Sequence, residues 1–187
     1  YVADEKSSVA RAVKDLETAG YKLDIISSGS TPTFWGSLDD ENIRIYHPGN
    51  YIFCDYIQMS IGIAKEDECA LAVYATIVSH PDDETFICDA GAKCLGLDQG
   101  AHGNDAIKGH GYVKGHPELT VYSLSEEVGK IHADGPTDIK VGDKIEIIPN
   151  HSCSSANLTS YYIGVRGDEV ERVIPVEIRG NSTTKNA

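Results

Sequence analysis

The chain is short of positive charge, of long apolar runs and of paired cysteines, and each shortage excludes something. Its 16 lysines and arginines face 29 aspartates and glutamates, a formal net charge of −13. Nucleic acid and anionic membrane surfaces need a basic face to neutralise their phosphates, so neither is expected as the main partner. No apolar stretch is long enough to span a bilayer, and neither a signal-peptide pattern nor a basic leader is visible. The five cysteines (Cys54, Cys69, Cys88, Cys94 and Cys153) are scattered without a Cys-x-x-Cys pair in 187 residues. That spacing speaks against a disulfide scaffold and for reduced thiols, hence a cytoplasmic protein. Two glycosylation sequons, at Asn157 and Asn181, have no secretory signal to give them meaning. Internal repeats are lacking, and the polar tail 181–187 is expected to fray.

What is present falls into two textures. The first begins with a helix: Val9, Ala12, Val13, Leu16 and Ala19 recur at steps of three and four, Asp4 or Ser7 can cap its start, and Gly20 ends it. A strand is predicted over 22–27 (KLDIIS), running into the loop SGSTPT, and a second over 43–46, running into His-Pro-Gly-Asn and a helix-like NYIFCDYIQMSIG. Backbone N–H groups of Gly29 and Ser30, with the hydroxyls of Ser30 and Thr31, suit a phosphate. The residues alone fit an ordinary polar loop as well. Two successive strand ends of this kind can face one ligand, as the last two strands of a parallel α/β barrel do.

From about Cys69 the pattern turns to β. Segments 69–79 and 85–89 read as a hairpin about a solvated Pro-Asp-Asp turn, 119–124 and 129–132 as further strands, and 161–166 with 169–178 as a second hairpin about Gly167-Asp168. Between them, 96–116 reads as a loop rich in glycine and histidine, with His80, His102, His110 and His116 in or beside it. Their spacings match no compact ligand set, and a mobile cover over an active site is the more informative reading.

The stretch KIEIIPNHSCSSANL, 144–158, stands apart. Ile145, Ile147 and Ile148 make a strand that Pro149 stops, and His-x-Cys comes next. If the backbone stays extended, His151 and Cys153 project from one face with Ser152 turned away. Imidazole and thiolate donors suit zinc at about 2.0–2.3 Å, and two protein ligands leave positions for water or substrate. The bare motif fits equally a small buried cysteine after a strand.

Taken together, the ordered motifs SSGSTPT, YHPGNYIFCD, ATIVSHP, CDAGAK, GHPELTVYSLSEEVG and VGDKIEIIPNHSCSSANL resemble the C-terminal part of the D-serine dehydratase and D-threonine aldolase family, pyridoxal-phosphate enzymes with an alanine-racemase-like barrel. The resemblance covers nearly all of 22–180. It implies an α/β plus β fold: residues 1–62 as the C-terminal end of the cofactor-binding α/β barrel, then 63–187 as a mostly antiparallel β domain carrying the metal site. It places Gly29, Ser30, Thr31, Gly49 and Asn50 at the pyridoxal 5'-phosphate group and His151 and Cys153 at the metal. Asp89 becomes a neighbour of the site, and Tyr46, His47 and Tyr51 flank the phosphate turn.

The implied reaction is β-elimination from D-serine to pyruvate and ammonia by a lyase using pyridoxal phosphate and zinc. Cys as second metal ligand favours the dehydratase, where the aldolase pattern has Asp. The alternatives are a metal-dependent D-threonine aldolase and a non-catalytic β domain with an association or regulatory role. The partners implied are a small D-amino acid and, in the intact enzyme, a second subunit as a homodimer. Family members carry the Schiff-base lysine on the first barrel strand. No lysine here sits in a matching motif, so the expectation is that no catalytic lysine belongs to this chain and that these residues alone turn over nothing.

Overall fold

A computed structural model describes residues 1–100 and 105–179. His102, the Asn181 sequon and the tail from 181 lie outside the described residues. The chain divides into two compact units, Tyr1–Ile52 and Phe53–Ala187. The division falls ten residues before the change of texture at 62/63, because 53–62 bonds to the more C-terminal chain: Ala70 N–H donates to the Phe53 carbonyl and Ile57 N–H to that of Asn150.

The N-terminal unit opens with α1 (Val2–Thr18). Neither expected cap is used. Tyr1 stands at the N-cap without a side-chain bond, and Ser7 Oγ donates to the Asp4 carbonyl inside the helix. The end is as predicted. Gly20 N–H returns to the Glu17 carbonyl and Tyr21 N–H to that of Leu16, the paired bonds of a Schellman stop. Next come β1 (Ser27–Ser28), α2 (Phe34–Ser37), β2 (Ile45–Tyr46) and a 3-10 turn at Asn50–Ile52. The strands are shorter than the apolar runs suggest. Ile25 is 64% exposed, and β1 has a neighbour on one edge only among the described residues, so most of KLDIIS has nothing to pair with. What survives is a parallel pair, Ser27 opposite Ile45 and Ser28 opposite Tyr46, joined by a helical crossover. Parallel pairing puts the two strand-end loops at the same end of the pair.

The C-terminal unit is built on a closed antiparallel barrel. After α3 (Tyr56–Ser60) come β3 (Val73–Asp82), β4 (Thr85–Cys88), α4 (Ala92–Leu95), β5 (Gly111–Val113), β6 (Leu119–Leu124), β7 (Gly129–Ala133), β8 (Lys144–Pro149) and α5 (Ser152–Asn157). The barrel order is β3-β4-β7-β6-β5-β8. Every neighbouring pair is antiparallel, so the expected antiparallel β domain takes the form of a closed ring that leaves no free edge. One side chain in two points inward: Ala75 and Ile77, Phe86 and Cys88, Leu119 and Val121, Ile131 and Ala133, Ile145 and Ile147 fill the core. Burying these aliphatic groups is worth roughly 1.5–3 kcal/mol each before ordering costs. The second hairpin, β9 (Tyr161–Arg166) with β10 (Glu169–Pro175), forms its own two-stranded sheet.

One barrel strand departs from the sequence reading. Residues 111–113 lie in the glycine- and histidine-rich loop, yet Gly111, Tyr112 and Val113 pair with Pro149, Ile148 and Ile147 and close the ring. Three residues give too short a pattern to read. Val113 is nonetheless fully buried.

Candidate functional site

The site residues fall in two places, one in each unit. In the N-terminal unit the loops after β1 and β2 carry Gly29, Ser30, Thr31, Gly49 and Asn50. Gly29 has φ +105° and lies so close to Tyr46 that an added Cβ would sit 3.3 Å from its ring, a conformation that favours glycine. Thr31 and Asn50 are both buried, and the Asn50 N–H donates to Thr31 Oγ1 at 3.0 Å. The structure thus brings these two loops together. Ser30 is engaged locally, its N–H donating to Thr33 Oγ1 at 3.2 Å and its hydroxyl lying 3.2 Å from the same oxygen. Around them Tyr46 donates to the Ser37 carbonyl at 2.7 Å, His47 Nε2 pairs with Ser27 Oγ, and the Phe34 ring packs against Tyr46 and Tyr51. These flanking groups brace the loops.

In the C-terminal unit β8 delivers Asn150 and His151 directly into α5. The expected extended His-x-Cys is corrected here. His151 is extended, with φ −131° and ψ 105°, but the helix starts at Ser152 and places Cys153 in its first turn. Ser152 is buried while His151 is half-buried and Cys153 exposed. Asp55 explains the early helix. Its carboxylate is fully buried; Oδ1 accepts from Gln58 N–H at 3.0 Å and so caps α3, and Oδ2 accepts from Ser152 N–H at 2.9 Å across 97 residues. One side chain therefore starts two helices, with the cap of α5 supplied from far along the chain.

The imidazole has a partner as well. His151 Nδ1 lies 3.2 Å from Asp98 Oδ1. Asp98 is itself held by Asn150, whose Nδ2 donates to the Asp98 carbonyl at 2.9 Å and to that of Gly109 at 2.8 Å. With its amide nitrogen so committed, the buried Asn150 Oδ1 is left without a hydrogen-bond partner among the described residues. Partial burial of the Cys153 thiol, and then the negative charge of Asp55, push its proton affinity up. The thiol is protonated at neutral pH unless a cation displaces the proton.

No group of three or more histidine, cysteine, aspartate or glutamate side chains able to hold a metal occurs among the described residues. What His151 and Cys153 offer is two donors of the kinds that bind zinc, with the other ring nitrogen of the histidine backed by a carboxylate. That donor set fits an open metal site. Of two surface depressions, one of about 350 Å³ is lined by Lys108, Thr120, Tyr122, His132 and Asp134, and one of about 290 Å³ by Gln99, Gly100, Asp105, Ile107 and Gly109, the last being the residue whose carbonyl Asn150 holds. Asp89 is exposed and continues the β3–β4 ladder, its carboxylate accepting from Thr76 N–H at 2.6 Å. His80 stacks on Phe86 with ring centroids 4.1 Å apart, and His116 pairs with Glu118 at 3.0 Å. Sequence reasoning missed Asp55, Asp98 and Asn150. A histidine followed two residues later by cysteine announces donors, whereas nothing local announces carboxylates 53 and 97 residues away.

A family model described as a putative serine dehydratase domain matches residues 70–165. D-serine dehydratase of Dictyostelium discoideum is 37% identical over 168 residues, covering 83% of this chain and 42% of that protein. The 3-hydroxy-D-aspartate aldolase of Paracoccus denitrificans (strain Pd 1222) is 30% identical over 187 residues, covering 93% and 44%. Among solved structures, D-threo-3-hydroxyaspartate dehydratase from Delftia sp. HT23 superposes with a TM-score of 0.79 at 26% identity, covering 96% of this chain and 50% of that one. An alanine-racemase-like protein from Idiomarina loihiensis gives 0.71 at 31%, covering 86% and 46%. A cysteine-to-alanine mutant of D-threo-3-hydroxyaspartate dehydratase is known in a metal-free form, and at 24% identity and a TM-score of 0.78 it shares the fold. The chain spans about half the length of the relatives it matches or somewhat less. With the barrel and the His-x-Cys turn inside the matched residues, the chain belongs to the serine dehydratase domain family.

Proposed function

We propose that this chain forms the metal-bearing part of a pyridoxal-phosphate-dependent lyase that removes water from D-serine to give, after hydrolysis, pyruvate and ammonia. The observation that carries the reading is the His151–Cys153 turn. A borderline nitrogen donor and a thiol stand two residues apart, one backed by Asp98 and the other on a helix started by Asp55.

His151 and Cys153 would hold the ion, and the Gly29–Ser30–Thr31 and Gly49–Asn50 loops the cofactor phosphate. Pyridoxal phosphate supplies an electron sink at the substrate Cα, and zinc a Lewis acid for the departing β-hydroxyl. The remaining work belongs to the chain. The Thr31–Asn50 hydrogen bond fixes two loops at one end of a parallel strand pair; with the Ser30 and Asn50 N–H groups already donating to Thr33 and Thr31 hydroxyls, those bonds hold the loop shape and an anion would be met by the other backbone N–H groups of the two loops. Asp55, with no freedom to move, keeps the first turn of α5 and hence Cys153 where β8 leaves it. A soft thiolate beside an imidazole selects zinc over magnesium or manganese, which prefer oxygen. The aldolase among the relatives keeps carbon–carbon cleavage as a second outcome of the same site.

Zinc titration of the purified chain tests the metal assignment. Binding close to one ion per chain is expected, with loss in both His151→Ala and Cys153→Ala; unchanged stoichiometry in both variants would remove the metal reading. For the reaction, a polypeptide extended to the relatives' length should release pyruvate from D-serine, and release of glycine and an aldehyde from β-hydroxy D-amino acids in its place would assign it to the aldolases.

A further inference from the structure

Among the groups outside the His-x-Cys turn, Asp98 stands in a position that its own surroundings do not require. It comes after α4 through a left-handed turn at Gly96, with φ +76°, where an added Cβ would lie 3.2 Å from Asp98 Oδ2 and 3.6 Å from Ser154 Cβ. That glycine lets the carboxylate lie against the start of α5. Three further contacts hold the same arrangement. Ser155 of α5 donates to the Cys94 carbonyl in α4, Asn150 grips the Asp98 carbonyl, and Asp98 Oδ1 meets His151 Nδ1 at 3.2 Å. The His151 and Asp98 side chains are 38% and 33% exposed. The pair is thus neither a solvated surface bridge nor a sealed core contact.

We propose that Asp98 is the positioning residue of the metal site, accepting a hydrogen bond from the Nδ1–H of His151 so that Nε2 presents its lone pair as the metal-binding nitrogen. The inference rests on the metal reading above and deepens it by naming which nitrogen ligates and what holds it. A free imidazole can carry its proton on either nitrogen and rotates about two bonds. A carboxylate on Nδ1 selects one tautomer, fixes the ring plane and raises the basicity of the opposite nitrogen. Asp98 lies 53 residues from His151 in sequence, and the hold on it comes from Asn150, the residue next to the ligand, so the chain that delivers the histidine also delivers its orienting group. Asp98 is assigned the orienting role and not that of a third ligand, because among the described residues no three histidine, cysteine, aspartate or glutamate side chains form a group able to hold one ion.

Two measurements on the 187-residue chain test this. Long-range nitrogen–proton NMR correlations of metal-free protein should show His151 protonated on Nδ1. Asp98→Ala should shift the ring to the Nε2–H tautomer that water favours and weaken zinc, measured by chelator competition, by about 10–100-fold. Asp98→Asn retains an acceptor oxygen without the charge. It should keep the wild-type tautomer and recover part of the affinity, a rescue that a merely structural role would not give. The proposal is overturned if His151→Ala abolishes zinc binding while Asp98→Ala changes neither tautomer nor affinity. If His151→Ala itself leaves zinc untouched, the metal reading fails first. Should Asp98→Ala not fold, Asp98→Asn decides alone: an Nε2–H ring with wild-type affinity in that variant overturns the assignment.

Discussion

Asp55→Asn is the perturbation with the sharpest consequence. The asparagine is nearly isosteric, so it creates no cavity, but it replaces one of two accepting oxygens by a donating amide. In the wild type both oxygens are used, Oδ1 by Gln58 N–H at 3.0 Å and Oδ2 by Ser152 N–H at 2.9 Å. The asparagine carbonyl can serve one of these and must turn its NH2 toward the other. The bond lost is itself the cap, a charge-assisted hydrogen bond that contributes about 1.5–3 kcal/mol. Relief from burying a charge offsets part of this loss, so a net destabilisation of about 1–2.5 kcal/mol is expected. In a chain of this size that lowers the unfolding midpoint by about 2–10 °C, read by circular dichroism. Amide exchange locates the effect: either Ser152 or Gln58 should lose protection, with the barrel amides at Ile147 and Val121 unchanged at early times. A midpoint within about 1 °C of wild type together with unchanged protection at both amides would refute the double-cap argument.

The barrel core and the Tyr112–Glu66 pair supply two more tests. Ile147 is fully buried and lies on the inner face of β8, so Ile147→Ala should cost about 2–5 kcal/mol in urea unfolding; a loss below about 1 kcal/mol would mean that the barrel collapses around the gap. Tyr112 donates to Glu66 Oε2 at 2.9 Å, and burial, then that bond, push its hydroxyl from 10.0 up to about 12. The folded protein therefore holds this proton more tightly than the unfolded chain. The stabilisation it represents is complete below about pH 10 and is lost as pH rises toward about 12. Stability measured across that window should fall less steeply in Tyr112→Phe than in the wild type, and equal slopes would show that Tyr112 titrates alike in both states.

Much was legible in the sequence alone. Period-two burial in β8 came from Ile145 and Ile147, the β3–β4 and β9–β10 hairpins from apolar runs about polar turns, and the donor pair from His-x-Cys, because each rests on contacts within a few residues. Ladder closure, by contrast, depended on partners far along the chain. A three-residue strand at 111–113 becomes a strand only when β8 lies beside it, and KLDIIS shrinks to two residues because one edge finds no neighbour among the described residues. The same reason governs the site. Sequence named the imidazole and the thiol, but Asp98 reaches the imidazole from 53 residues away and Asp55 reaches the Ser152 N–H between them from 97. Whether Cys153 stands on a strand or a helix was therefore decided by a carboxylate that no local pattern connects to it, since helix starts are chosen by whichever acceptor satisfies their first N–H groups.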